Sequence, residues 1–392
     1  MSRPSKPRSS GDKQRRSYSP AKKRGRITFG GNRNVAHGLA DALRAAQKDE
    51  VVADSLTHPL HAYPARMHPA TARALLELCF EEQRATPKAV FDPFCGSGTT
   101  LVEARAMGLT AFGSDLNPLA VRIARAKTWS ANKDRRNKLR KMGQQIAGLT
   151  LEEGKAARRA DYQPKPWRVP KGIDKAARDE EVSEWFAPHV RRELEFMASC
   201  IDELREKDDE LADLLVVCLS AILIKCSKRS SDTSSKVVKR NIARGAPARW
   251  FGERVELLCE GLFDLEGLAK GQSASVLERD AREVKQLVHS AEAPFQARSI
   301  GAIISSPPYA GTYDYVDHHR LRLAFLGMPF EQFERSEIGA RRRFKGGRAH
   351  HEMQRVFRDF RKTMEGAHEA LSDRGLMALM VGDSVAGVRA RV

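Results

Sequence analysis

The run Asp92-Pro93-Phe94-Cys95-Gly96-Ser97-Gly98-Thr99-Thr100 constrains this chain more than any other segment. Before it lies Ala89-Val90-Phe91, apolar and strand-forming. After it, Leu101 to Met107 is small, apolar and suited to a helix. Strand, glycine turn and helix in that order predict a ligand site in an open α/β sheet. Gly96 and Gly98 let the backbone turn tightly and approach a ligand closely. A second strand, Leu109 to Gly113, ends in Ser114-Asp115, where an acid is placed to bond ribose hydroxyls. No third glycine opens the helix, so the turn lacks the full dinucleotide fingerprint and NAD is the weaker inference. A glycine turn in some other α/β protein is the competing reading.

A second segment narrows the chemistry. Ile300-Gly301-Ala302-Ile303-Ile304 reads as a buried strand and runs into Ser305-Ser306-Pro307-Pro308-Tyr309. Two successive prolines fix φ and continue neither sheet nor helix. They leave rigid carbonyls that can accept from an exocyclic amine, and Tyr309 adds a flat face for a planar ring. Together these make a socket for an amino group on a nucleobase. The residues alone equally fit a proline turn with a packed tyrosine.

Taken together, the glycine turn and Ser306-Pro307-Pro308-Tyr309 resemble the amino-methyltransferases of DNA. His61-Ala62-Tyr63-Pro64-Ala65-Arg66-Met67-His68-Pro69 resembles the family segment that folds over the methionine end of the cofactor. The resemblance covers segments within about 58–128 and 275–385. It implies a Rossmann-like class I methyltransferase, an α/β fold with a mostly parallel sheet. It implies S-adenosylmethionine held by Asp92, Phe94, Gly96, Gly98, Thr99, Asp115, Leu116 and Asp280. Asp280 would meet the adenine amino group. It also implies transfer to an exocyclic amine, with Ser306, Pro307, Pro308 and Tyr309 around a base that has left the duplex. Ser-Pro-Pro-Tyr goes more with cytosine N4 in that family, and Asp-Pro-Pro-Tyr with adenine N6. Adenine N6, an RNA amine and an inactive nucleic-acid-binding relative stay open. Methylation at cytosine C5 is disfavoured. It needs a cysteine nucleophile, which its own family presents after a proline, and none of the six cysteines here follows one.

Net charge of +18 and a pI near 9.8 favour a polyanionic partner, here DNA. Residues 1–35 read as a basic disordered tail, with Arg15-Arg16 and Lys22-Lys23-Arg24-Gly25-Arg26 as an arm for nucleic acid or simply a solvated tail. Residues 36–130 and 275–392 read as the catalytic domain, and 131–274 as a helical insertion rich in charged helix-period sequence. Basic residues around Arg229, and the loop Arg341-Arg342-Arg343-Phe344-Lys345, are candidate DNA contacts or solvated faces. A helix is expected over 36–50, another from Arg320 to Leu326, and a last strand from Gly375 to Val381. The family's two further sheet strands find no matching sequence after Ser384, so the sheet is expected to be incomplete at that edge.

The six cysteines form no C-x-x-C pair and suggest neither zinc nor disulfides. His318-His319 is a poor metal site, because neighbours on a helix face different ways. No apolar run spans a membrane and no signal core opens the chain, so a cytoplasmic protein is expected. The resemblance brings a restriction endonuclease into view as a partner. The recognition site and oligomeric state are left open.

Overall fold

The computed structural model describes residues 28–382 apart from 29, 50, 82–84, 158–174, 232–235 and 346. The basic runs of the N-terminal tail therefore lie outside the described residues. Helices α1 (Arg33–Lys48) and α2 (Pro69–Phe80) precede strand β1 (Ala89–Asp92). Then come α3 (Thr99–Ala106), β2 (Thr110–Asp115), α4 (Pro118–Lys127), α5 (Lys133–Ala156), α6 (Lys175–Trp185), α7 (Pro188–Arg205), α8 (Asp209–Cys226) and α9 (Ala246–Ala269). The chain continues through β3 (Ala274–Glu278), α10 (Val284–Val288), β4 (Ile300–Ser305), α11 (Tyr315–Leu326), α12 (Glu331–Ser336), α13 (Ala349–Ala370) and β5 (Leu371–Leu379).

The five strands form one parallel sheet in the order β3-β2-β1-β4-β5. The chain moves outward from β1 through β2 to β3, then returns to the other side of β1. The strand order thus reverses between β1 and β4, and the carboxyl ends there open a crevice. β4 is buried along its whole length, as an apolar strand covered on both faces should be. α1 begins three residues earlier than the sequence suggests, because the Asn32 side chain accepts from the Asn34 and Val35 amides and caps it. α11 likewise begins at Tyr315 rather than Arg320. β5 begins at Leu371, with a register irregularity before Leu376.

A helical block, α5 to α9, interrupts the sheet between β2 and β3. Its centre is α8, whose apolar residues are buried all round rather than along one stripe. The block's core runs on into α4 and α11 through Leu119, Ile123, Leu321 and Phe325. Arg322 of α11 donates to the Ser220 carbonyl of α8 (3.2 Å), and His61 pairs with the Ser220 hydroxyl (3.0 Å). No helix among the described residues is long and apolar enough to cross a membrane.

Candidate active site

Gly98 carries φ of 77° and starts α3. A Cβ there would also meet Ala124 of α4 at 3.0 Å, so both the turn and the packing ask for glycine. Tyr63 lies across Gly96, 3.3 Å from where a Cβ would stand, and stacks on His319 at 4.7 Å. The 58–69 segment is thus folded over the glycine turn. A buried cluster anchors it: Glu103 of α3 binds His58 Nε2 at 2.6 Å and accepts from Arg73 Nε at 2.7 Å. Burial holds His58 down to about 4, so it is neutral in that bond at neutral pH.

The glycine turn and the Ser-Pro-Pro-Tyr segment are joined directly. Ser305, fully buried at the end of β4, donates to Asp92 Oδ1 at the end of β1 over 2.6 Å. The Phe94 amide donates to the same oxygen at 3.1 Å. Asp115, at the end of β2, accepts from the Gly96 amide (2.9 Å) and the Asn117 amide (2.8 Å). A carboxylate offers about four acceptor positions, so these bonds do not use them all. Burial pushes both Asp92 and Asp115 up to about 6, against the hydrogen bonds that pull them down. Asp115 keeps some surface, but on the cleft side; protein packs round the rest of it, which is why burial dominates.

These groups open on one cleft enclosing about 870 Å³, part of it open to solvent. Asp92, Phe94, Gly96, Thr99, Asp115, Leu116, Asp280 and Ser306 line it, as do Pro308, Tyr63 and Arg66. Phe333, Ile338 and Tyr315 supply further wall. The hydroxyls of Ser97 and Thr99 line it too, buried and without a hydrogen-bond partner among the described residues. Asp280 is held by Arg282, which donates to both its oxygens and also reaches Asp359 (3.3 Å) and the Ser336 carbonyl (3.1 Å). Gly98 and Pro307 stand behind the lining. Pro307 is buried, and Tyr309 sits half-buried beside it. Tyr309 hydroxyl lies 2.9 Å from Ser306 Oγ and 3.4 Å from the Met380 carbonyl.

Three of the basic residues read as DNA contacts are engaged within the protein. Arg342 donates to Glu337 (2.6 Å), to Asp314 and to the Glu334 carbonyl. Glu337 is buried and accepts the Tyr315 amide at 2.6 Å, so Arg342 neutralises a buried acid that caps α11. Arg343 donates to the carbonyls of Glu334 and Arg335. The segment 341–344 is a short 3-10 helix rather than an open loop. Arg229 lies over the Trp185 ring at 4.2 Å and bridges to Val237. Arg341 and Lys345 remain exposed.

His58, Glu103, Ser305, Tyr315 and Glu337 belong to the site but carry no motif of their own. Ser305 ends the apolar run of β4 and directly precedes the Ser-Pro-Pro-Tyr segment, the one hint in the sequence. The six cysteines are free; five are buried, with Cys95 in the glycine turn itself. Among the described residues no group of three His, Cys, Asp or Glu could hold a metal ion.

The comparisons with known proteins bear on this geometry. Residues 12–126 match a family model for DNA methylases of the N6/N4 type. Over those residues the chain is similar to the DNA amino-methyltransferases. Among its relatives, type II methyltransferase M.MvaI of Kocuria varians is 31% identical over 158 residues, 39% of this chain and 31% of the relative. Type II methyltransferase M.MjaII of Methanocaldococcus jannaschii is 21% identical over 354 residues, 74% of this chain and 65% of the relative. Type II methyltransferase M.BsoBI of Geobacillus stearothermophilus is 24% identical over 259 residues, 61% of this chain and 47% of the relative. The chain thus spans between about a third and two thirds of the length of these curated relatives. No solved structure matches it.

Proposed function

We propose that this chain is an amino-methyltransferase that acts on DNA, using S-adenosylmethionine, and that its target is the N4 amine of a cytosine taken out of the duplex. The observation that carries the reading is the 2.6 Å bond from Ser305 to Asp92, which fixes the Ser-Pro-Pro-Tyr segment against the glycine turn on one cleft. The residues present fit the cofactor. Asp115 keeps acceptor positions for ribose hydroxyls, and Ser97 and Thr99 hold unpartnered buried hydroxyls on the cleft wall. Phe94, Phe333 and Ile338 give apolar surface for an adenine ring, with Asp280 beside them. When bound, S-adenosylmethionine supplies a methyl group made electrophilic by its sulfonium.

The protein's part is positioning. Tyr309 donates its hydroxyl proton toward the Met380 carbonyl, so Ser306 donates to Tyr309 in turn. That leaves the lone pairs of Ser306 to accept from the amino group of the base. The Pro307 carbonyl, freed from any ladder by the two prolines, is the second acceptor. Two acceptors on one amine draw its lone pair out of conjugation with the ring and aim it at the cleft. Tyr309 presents its ring to the base. Serine at position 306 rather than an aspartate favours cytosine over adenine, and the match to the DNA methylase family model supports DNA over RNA.

The test is product analysis. The chain is incubated with duplex DNA and methyl-labelled cofactor, and the digested DNA is examined by mass spectrometry. N4-methylcytosine is expected. N6-methyladenine would move the target to adenine, 5-methylcytosine would overturn the mechanism, and label entering RNA alone would overturn the substrate.

A further inference from the structure

We infer that the outward face of α13, together with the residues leading into it, is a docking surface for the phosphate backbone of duplex DNA. The inference rests on the methyltransferase reading and places the duplex on a surface the motifs do not mark. Residues 341–362 hold nine Arg and Lys against two acids. Of the nine, Arg342 and Arg343 are used within the protein and Arg355 reaches Asp359. The other six, Arg341, Lys345, Arg348, Arg358, Arg361 and Lys362, are exposed, and none makes an ion pair among the described residues.

The helix explains why they gather. Gln354 and Arg358, and likewise Phe357 and Arg361, stand four residues apart and so share one side of α13. The opposite side faces the protein: Met353, Val356, Thr363 and Ala367 are buried. Phe357 is 53% exposed among the cations, an unusual place for an aromatic on a face with no protein against it. Arg348 to Arg361 spans about 20 Å of helix at 1.5 Å per residue. That reaches across a major groove of about 12 Å to phosphates on both rims. Crowding of like charge is felt inside the patch too: Arg343 is held below its ordinary value, by burial first and then by Arg355 and Arg342.

The surface also adjoins the cleft. Phe360 of α13 packs edge-on against Phe94 of the glycine turn at 6.3 Å. Asp359 of α13 receives Arg282, which holds Asp280. A duplex seated on α13 therefore lies beside the cofactor end of the cleft that the base must enter. Unpaired cations, an exposed ring and this continuity point to DNA rather than to a second protein, whose interface would lack such an excess of one charge.

The experiment compares the full chain with a variant carrying Arg348→Gln, Arg358→Gln and Arg361→Gln. Binding to a fluorescent duplex is followed by anisotropy from 0.05 to 0.3 M salt, and cofactor binding by calorimetry. Three lost phosphate contacts should lower the log–log salt slope by about 2.7 and weaken binding by about tenfold or more at 0.1 M salt. Cofactor affinity should stay the same, which also shows that the variant is folded. Arg358→Gln alone should take about a third of the slope change. An unchanged slope in the folded triple variant would overturn the surface, and duplex RNA competing as well as duplex DNA would overturn the partner. Methyl transfer by the unaltered chain is measured in parallel. A chain whose salt slope depends on α13 but which transfers no methyl keeps the surface and loses the reaction.

Discussion

Ser305→Ala tests the joint on which the site depends. The serine is fully buried, and its hydroxyl gives Asp92 a hydrogen bond at 2.6 Å, the length expected when the acceptor is charged. Alanine removes one oxygen and leaves almost no cavity, so the loss is that of the bond. A hydrogen bond to a buried charged group contributes about 1.5–3 kcal/mol, and here the acceptor stays behind with the Phe94 amide and the Thr100 side chain as remaining support. The variant should lose about that much stability in urea unfolding. If the ends of β1 and β4 drift apart, the same energy appears in catalysis as a fall of roughly ten- to a hundredfold in kcat/KM. Asp92 is already raised to about 6 by burial, and losing a donor to its charged form should raise it further. The pH midpoint of activity should then move up, a change that loose packing alone would not produce. A stable variant with unaltered kcat/KM and pH midpoint would show that the two motifs do not depend on this bond.

Asp115 sits at about 6, so its acceptor charge is lost below that pH. Cofactor affinity measured by calorimetry should tighten about tenfold from pH 5 to pH 7, and Asp115→Asn should bind weakly with no such trend. Since Asp92 and Asp115 are both raised on folding, they bind protons more tightly in the native state. Their contribution to stability therefore falls as pH climbs from about 4 to about 6, which urea unfolding across that range would reveal. Arg342→Ala leaves Glu337 buried without its cation and should cost about 3 kcal/mol, while the salt slope of DNA binding stays put; a large slope change with intact stability would return Arg342 to the DNA surface. Tyr309→Phe keeps the ring but removes the acceptor for Ser306, so single-turnover transfer should slow several-fold with DNA affinity unchanged.

The parts of this protein written in its sequence are those fixed by backbone chemistry over a few residues. Glycines at 96 and 98 and prolines at 307 and 308 allow few conformations, so the two strand ends that carry them were legible, as was the parallel α/β sheet. The acid at Asp115 followed from its place after a strand. What the tertiary structure decided is pairing over distance. Ser305 and Asp92 are 213 residues apart, and nothing local says they bond. Nor does a run of three arginines say which one turns inward: Arg342 does because Glu337 is buried beneath it, while Arg341 stays at the surface. Similarly, α8 is apolar along most of its length, but which helices cover its several sides is decided only by the fold. Charge and hydropathy along a chain specify what a residue can do. Which residue does it depends on what the fold brings within about 3 Å, since a buried charge must find its partner there.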